Sequence, residues 1–234
     1  MLDGATVSAS PLVLASADIG VCDVLRLTRT SDLEPALQTC ITALNAGERA
    51  EEAYRVRPRE ICVLPGGPFC YWLSPQMLNC VRQLRPFEGD GGTVKQGTAT
   101  ADEFRFARAW WELPATGCEK AWLPYTKTST YSPYWDDITW MGKLGDGQRE
   151  VQATGRARVQ GVEYFCRPGV TYTSKSVLGF NPRLQPSGCA FGHTGSVAFG
   201  REIDPLALLG FLSSRPVEYL LSLFIGELQG KAGV

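Results

Sequence analysis

The sequence lacks several features that would point to a familiar chemistry. Its 234 residues include one histidine, His193, and no G-x-S-x-G nucleophile motif, so a serine or cysteine hydrolase would depend on that imidazole. A loop or buried hydrogen-bonded histidine is the favoured interpretation. Its eight cysteines include no C-x-x-C pair, which argues against a zinc ribbon or redox motif. Neither G-x-x-x-x-G-K-[ST] nor G-x-G-x-x-G occurs, so no phosphate loop is expected.

Long apolar runs and an excess of one charge are also missing. No stretch of about 18 apolar residues and no signal-peptide pattern occurs, so we expect no membrane span and a cytoplasmic location. The formal net charge is −1, whereas a stand-alone DNA-binding domain is usually basic. The charge therefore argues mildly against such a domain, although it is compatible with a recognition module whose phosphate contacts are shared with another subunit. A hydrophobic content of 44% with 20% charged residues indicates a globular chain with a core.

The order of the pattern signals predicts an α+β fold. Helix starts are indicated at Asp32, Ser74-Pro75 and Asp204-Pro205, where a capping side chain precedes apolar residues at helical spacing. Between about residues 93 and 199, short aromatic and β-branched runs such as Phe104–Trp111 alternate with Gly, Pro and Ser, which predicts strands. The fold class expected is therefore an irregular β-rich domain with flanking helices.

Turn signals divide the chain further. The Gly/Asp loop Phe87–Gly92 is the best candidate boundary, which gives domains 1–92 and 93–234. Pro65–Pro68 predicts a tight turn. Ser213–Pro216 predicts a turn between two helices, that is, a C-terminal helical hairpin. Lys143–Gly155 is polar, and we expect it to be a surface excursion.

Cations and aromatic residues alternate through the β-rich region. Lys95, Arg105, Arg108 and Lys127 are interleaved with tyrosines and tryptophans, as in surfaces that bind phosphates and stack on bases. The other interpretation is a solvated face over an aromatic core. Asp136-Asp137 is expected to be a solvated pair, because adjacent carboxylates on a strand point to opposite faces. No metal site is expected.

Several long segments carry a family resemblance. They are Leu2–Val7, Gly67–Pro75, Val94–Phe106, Ala109–Glu112, Trp122–Lys127, Tyr131–Tyr134, Tyr164–Thr171, Gln185–Phe191 and Leu208–Pro216. In this order they closely resemble the post-catalytic part of BREX-type adenine-specific DNA methyltransferases, large relatives of the type IIG restriction-modification methylases. One departure is Ser213, which stands where the helix turn of the family's recognition domain usually has asparagine.

The resemblance implies that catalysis and target recognition lie in different parts of the enzyme. The family's catalytic half carries an S-adenosylmethionine loop of the F-x-G-x-G kind and an N-P-P-Y tetrad that holds the flipped adenine. We expect this chain to contain neither, since Asn181-Pro182-Arg183-Leu184 is not the tetrad. Residues 1–92 would then be a connector after a missing catalytic domain, and 93–234 a C-terminally truncated target-recognition domain. The expected partners are double-stranded DNA and a methyltransferase catalytic domain or subunit, and S-adenosylmethionine is expected on that partner.

Within this interpretation the candidate DNA contacts have separate tasks. The four cations named above would meet phosphates or bases, Gly97 would allow close backbone approach, Thr98 and Thr100 would donate hydroxyls to phosphate, and Tyr131 and Tyr134 would stack or wedge. The structural alternatives are that Tyr134 and Trp135 belong to the core and that Arg108 forms an internal salt bridge. The rival function is a non-catalytic module that docks on a defence complex, for which an apolar patch with scattered charges would be the signature.

Overall fold

The computed structural model describes residues 20–28, 30–57, 70–116, 120–127, 131–173 and 179–225, and its contacts divide the chain into two units. The first unit is Met1–Leu84 and the second is Arg85–Val234. The loop proposed as a boundary, Phe87–Gly92, falls inside the second unit, where Phe87 packs against the core. The turn expected at Pro65–Pro68 lies outside the described residues.

Among its described residues, the first unit contains a two-stranded antiparallel sheet and two helices. Its elements are β1 (Cys22–Leu25), α1 (Leu33–Asn45), β2 (Ala53–Val56) and α2 (Pro75–Gln83). Both helices begin where the sequence predicted. α1 follows Asp32, and α2 follows Ser74, whose hydroxyl accepts a hydrogen bond from the Met77 N–H at 3.2 Å. The buried apolar side chains of this unit are Cys40, Ala50, Cys70, Leu73 and Val81.

The second unit has two four-stranded sheets with helices around them, which confirms the α+β class. Its elements are β3 (Gly92–Lys95), α3 (Glu103–Phe106), β4 (Ala107–Ala109), β5 (Leu123–Thr126), β6 (Trp140–Gly142), α4 (Gln148–Ala153), β7 (Gly169–Thr173), β8 (Arg183–Gln185), β9 (Ala190–Phe191), β10 (Gly195–Gly200), α5 (Pro205–Leu212) and α6 (Arg215–Ile225). One sheet has the antiparallel order β3-β10-β7-β8. The other has the order β4-β6-β5-β9, with β5 and β9 parallel.

β10 lies between β3 and β7 and is buried on both of its faces. Because successive side chains of a strand point to opposite faces, Val197 and Phe199 share one face and pack with Phe191. Ala198 points the other way and packs with Val170 against α5. The chain passes from β9 in one sheet to β10 in the other within a few residues, so this corner ties the two sheets together.

The second sheet covers a separate apolar core. The residues of that core are Phe106, Tyr125, Leu144, Val151 and Ala190. Lys143–Gly155 was expected to be a surface excursion, and that expectation was wrong. Leu144 and Val151 are buried, because the short helix α4 turns one side inward while its polar residues face solvent.

The first of the two C-terminal helices, α5, begins at the residues that the sequence predicted, Asp204-Pro205. Asp204 caps α5 by accepting hydrogen bonds from the N–H groups of Leu206 and Ala207 at 2.8 and 3.2 Å. The axes of α5 and α6 bend by 63° at Ser213-Ser214, so the pair is more open than the antiparallel hairpin that the turn suggested. No single helix in the described part of the chain is long and apolar enough to cross a membrane, although this bent pair reaches that length and composition together.

Candidate nucleic-acid interface

A one-turn helix begins the candidate interface. The sequence predicted a strand over Phe104–Trp111, but the Asp102 carboxylate accepts a hydrogen bond from the Arg105 N–H at 3.1 Å and starts α3 there. The strand is reduced to β4, and Trp110–Glu112 forms a single 3₁₀ turn. The short helix buries Phe106 and leaves Phe104 86% exposed. The helical turn therefore places the Phe104 ring and the neighbouring Arg105 on the surface.

Five residues, which we call the α3 cluster, lie around this helix: Glu103, Phe104, Arg108, Lys127 and Trp140. Lys127, at the end of β5, forms an ion pair with Glu103 and lies 4.9 Å from the centre of the Trp140 ring. The Arg108 guanidinium lies 4.9 Å over the Phe104 ring. Cation–π contacts of this kind hold charged groups next to aromatic faces without neutralising them. The cluster therefore places two cations beside exposed aromatic rings.

Arg105 and Arg108 differ from Lys127 in their ionic partners. No carboxylate lies within salt-bridge distance of either arginine among the residues that the structure describes. The internal salt bridge considered for Arg108 is therefore not formed there. Arg105 acts at longer range on Glu150, whose pKa is lowered mainly by a hydrogen bond from Lys143 and to a smaller extent by Arg105.

Lys95 belongs to a different contact group, on the other sheet. Its Nζ lies 3.6 Å from Glu88 Oε1 and 5.5 Å from the centre of the Tyr164 ring. Arg167 lies 5.1 Å over the same ring. Hydrogen bonds from the Thr93 side chain and the Val94 N–H, with a smaller contribution from Lys95, lower the pKa of Glu88. The contacts thus sort the predicted cations into two groups, not one continuous row.

Three candidate contact residues are structural supports. An ideal Cβ at Gly97 would lie 1.9 Å from the Phe191 carbonyl oxygen, so glycine is needed for packing against that strand. Thr98 is fully buried, and its hydroxyl donates to the Gln160 carbonyl at 3.3 Å. Thr100 is buried too. Burial keeps both hydroxyls from a phosphate in this conformation, which corrects the roles expected from the sequence.

The two candidate tyrosines are on the surface. Tyr131 and Tyr134 are 40% and 60% exposed, and Trp135 is exposed as well, so Tyr134 and Trp135 are not core residues. Tyr134 has a left-handed backbone, with φ of 73°, held by hydrogen bonds to Pro182 and Leu184. That locked backbone fixes where the exposed ring projects, which suits a stacking or wedging side chain.

The acidic pair and the histidine have local structural partners. Asp136 Oδ2 lies 3.2 Å from Nη1 of the buried Arg183, and Asp137 accepts a hydrogen bond from the Trp135 indole at 3.1 Å. His193 is exposed, and its carbonyl accepts a hydrogen bond from the Gln96 amide at 2.7 Å. The ion pair between Asp136 and the buried Arg183 departs from the solvated pair that the sequence predicted, while Asp137 is exposed. His193 lies in an exposed turn, in agreement with the loop interpretation.

The residues Phe87–Gly91 match the F-x-G-x-G sequence pattern, so the expectation that the chain lacks this pattern was wrong. These residues form a tight turn in which the Gly92 N–H donates to the Phe87 carbonyl at 2.9 Å. A glycine loop that binds a cofactor usually leads into the N-terminus of a helix. Here the turn leads into β3, and Glu88 folds back onto that strand. The Phe87–Gly91 turn therefore lacks the strand-to-helix context of a glycine loop that binds a cofactor.

The sequence interpretation missed a shallow aromatic pocket beside the α3 cluster. Its lining residues are Trp110, Trp111, Leu113, Pro114, Ala115 and Met141, and its volume is about 370 Å³. Both tryptophans are 61% exposed. The adjacent Trp-Trp pair was the available signal, but it was counted among the strand residues and not among the candidate contacts. Exposed rings beside arginines are typical of surfaces that bind nucleic acids.

Comparison with known proteins gives two distant relatives. The chain is 23% identical over 199 residues to the adenine-specific methyltransferase PglX of Lacticaseibacillus casei (strain Zhang), a match that covers 77% of this chain and 17% of that protein. It is 23% identical over 180 residues to the adenine-specific methyltransferase BrxX of Escherichia coli O9:H4 (strain HS), covering 73% and 15%. No family model matches the chain. The chain thus spans about a sixth of the relatives' length, and the similarity supports the methyltransferase family indicated by the motifs.

Proposed function

We propose that this chain is the DNA target-recognition module of an adenine-specific methyltransferase used in phage defence. It chooses the DNA site, while a separate catalytic domain or subunit holds S-adenosylmethionine and transfers the methyl group to adenine N6. The chain alone transfers no methyl group. The proposal is supported by the similarity to two adenine-specific methyltransferases together with the surface around the α3 cluster.

The observation that carries the proposal is that two predicted cations contact consecutive residues of α3. Arg108, on β4, lies over the Phe104 ring, and Lys127, at the end of β5, pairs with Glu103 and lies beside the Trp140 ring. The two cations are nearly twenty positions apart in the chain, and β6, which pairs with both β4 and β5, brings their strands into one sheet. Guanidinium groups give bidentate contacts to phosphates and guanines, and exposed rings stack on bases.

The structure narrows the proposed contact set. Arg105, Arg108 and Lys127 form its main group, with Tyr131 and Tyr134 as stacking or wedging side chains. Lys95 is a separate phosphate contact on the other sheet. Gly97, Thr98 and Thr100 support the loop, and we do not include them among the proposed DNA contacts.

The first experiment measures DNA affinity as a function of salt. The full chain, alone and mixed with the catalytic part encoded in the same genome, is titrated onto labelled duplexes and followed by fluorescence anisotropy. Each phosphate contact contributes about −0.9 to the slope of log K against log salt. The double variant Arg105→Ala/Arg108→Ala should therefore flatten the slope by about 1.8 if both arginines contact phosphates. Arg201→Ala, at an exposed arginine on a different loop, is the matched control.

Two results would overturn the proposal. One is methyl transfer from S-adenosylmethionine by this chain without a partner, measured with radiolabelled cofactor. The other is the absence of DNA binding by the reconstituted pair across a library of random duplexes. A loss of binding in the control variant equal to that in the double variant would show that the α3 cluster is not the contact surface.

A second candidate function is a non-catalytic docking module on a defence complex. The observation in its favour is the exposure of two large apolar side chains of α5, Leu206 and Phe211, and of Ile203 just before the helix. The ion pairs that hold Lys95 and Lys127 also reduce the free positive charge. Under this alternative, Leu206→Lys weakens association with the complex, while the double arginine variant has no effect on it.

A further inference from the structure

The aromatic pocket beside the α3 cluster has the geometry of a corner. The rings of Trp110 and Trp111 lie 5.5 Å apart at an angle of 86°, so a planar group that stacks on one ring meets the edge of the other. The pocket volume of about 370 Å³ lies at the lower end of the range of small-ligand pockets, about 300–1,000 Å³. One flat, ring-sized group is the natural occupant of this shape.

Positive charge borders this corner. Met141, which lines the pocket, lies directly opposite Arg108 in the pairing of β6 with β4, and Arg108 in turn lies over Phe104. The nearest carboxylate in sequence, Glu112, has a local partner, since its Oε2 accepts a hydrogen bond from the Ala109 N–H at 2.9 Å. The charge around the pocket therefore favours a group attached to an anion.

The two tryptophans of the pocket also carry indole N–H donors. Neither the Trp110 nor the Trp111 indole N–H donates to an acceptor within the described residues, and both rings are largely exposed. A purely apolar peptide side chain would leave these donors without partners once it covered them, at a cost in free energy. A nucleobase carries ring nitrogen and carbonyl acceptors on its edge as well as a flat face. The donors and the charge thus favour a base over an apolar peptide.

We propose that the pocket formed by Trp110, Trp111 and Met141 stacks one unpaired nucleobase of the bound DNA. Bases inside a duplex have no free face, so only a base that has left its pair fits this corner. Arg108 holds the adjoining phosphate, and the indole rings take the base. This inference rests on the proposed DNA recognition, and it adds a site that distinguishes distorted from regular duplex.

The test uses 2-aminopurine, a fluorescent base whose emission is quenched by stacking. The full chain is titrated onto two duplexes of otherwise identical sequence, one with 2-aminopurine paired to thymine and one with it in a single-base bulge. Stacking on an aromatic side chain contributes about 1–3 kcal/mol per base, which corresponds to roughly 5- to 150-fold in affinity. The bulged duplex should bind tighter by such a factor, with quenching of its 2-aminopurine on binding.

The variants separate stacking from general binding. Trp111→Ala should remove both the preference and the quenching while paired-duplex affinity is kept, and Trp111→Phe should retain part of each. Phe211→Ala removes a ring of similar exposure on α5 and should change neither. Circular dichroism melting of each variant checks that the fold is intact.

Defined outcomes overturn the inference. Equal affinity for paired and bulged duplexes leaves DNA recognition standing and removes the base pocket. A preference that survives in both Trp111 variants removes it as well. If the tryptophan variants keep the preference but no longer bind the catalytic part, the corner is a protein-docking surface. If no duplex binds at all, the proposed function fails. The base-pocket inference is then tested separately with a single-stranded 2-aminopurine oligonucleotide, and it fails as well if the emission of that oligonucleotide is not quenched.

Discussion

Replacing Glu103 with glutamine separates two roles of Lys127, as partner of an internal carboxylate and as contact for DNA. The lysine side chain is 24% exposed and the glutamate side chain 48%, so solvent screens their ion pair strongly. Exposed pairs contribute about 0.2–1 kcal/mol to stability, and Lys127 keeps its contact with the Trp140 ring after the change. We therefore expect Glu103→Gln to lower the free energy of unfolding by less than about 1 kcal/mol.

The same change should strengthen DNA binding. In the unmodified chain, a phosphate must displace Glu103 before it can pair with Lys127. Removing that competition, about 0.2–1 kcal/mol, tightens binding by roughly 1.4- to 5-fold. Because Lys127 contacts the phosphate in both forms, the slope of log K against log salt should change little in Glu103→Gln, whereas Lys127→Ala should flatten it by about 0.9. Fluorescence anisotropy over a series of salt concentrations measures both quantities.

The control is Glu202→Gln, which also raises the formal net charge from −1 to 0. Glu202 is exposed and forms no ion pair with the described residues, so its replacement tests the effect of bulk charge alone. Equal gains in affinity for the two variants would refute the reasoning, because the effect would then come from net charge. An unchanged slope for Lys127→Ala would show that Lys127 does not reach a phosphate.

Three further predictions concern the fold that supports the site. Gly97→Ala should destabilise the chain by at least about 2 kcal/mol in urea unfolding, because its Cβ would collide with the Phe191 carbonyl. Asp204→Ala should cost about 0.5–2 kcal/mol, since two capped N–H groups at the start of α5 lose their acceptor. Burial, with a smaller contribution from Cys166, raises the pKa of the Cys189 thiol to about 11. The unfolded thiol ionises near pH 8.5, so stability from this group is complete below that pH and is lost as the pH rises toward 11.

Each of these predictions has a matched comparison. Gly210→Ala adds a methyl group in open space within α5 and should stabilise by about 0.5–1 kcal/mol, so a loss equal to that of Gly97→Ala would argue against the clash. Ser74→Ala removes a comparable cap from α2 and should cost about as much as Asp204→Ala. Cys189→Ala should flatten the alkaline decline in stability, whereas Cys80→Ala, at an exposed site, should not. An unchanged decline in Cys189→Ala would assign it to other groups.

Local signals predicted the elements that local interactions determine. Ser74-Pro75 and Asp204-Pro205 gave the starts of α2 and α5, because a capping oxygen and a proline at the first helical position act within one turn. Val170–Thr173 gave β7 to within one residue. Tyr134 and Arg105 lie on the surface, and their roles in DNA contact stay predictions.

Other features depended on contacts that are distant in sequence. Thr98 looked like a loop donor, but its N–H pairs with the Phe191 carbonyl, more than ninety positions later, and that pairing buries it. Val151 stood among polar residues, and only the fold shows that it completes the core with Tyr125. Lys95 and Lys127 are neighbours in the sequence pattern, yet strand order places them on different sheets. No local pattern reports such long-range pairing.

The position of β10 between β3 and β7 has a consequence during synthesis of the chain. Lys95 pairs with Val197, so β3 has left the ribosome's catalytic centre about a hundred residues before its partner exists. At about 5–20 residues per second, β3 waits roughly 5–20 s with an unpaired edge. Through that interval the apolar surface that β10 later covers is available to chaperones or to other nascent chains. Translation speed over this interval therefore bears on the yield of folded protein as directly as any contact in the finished sheet.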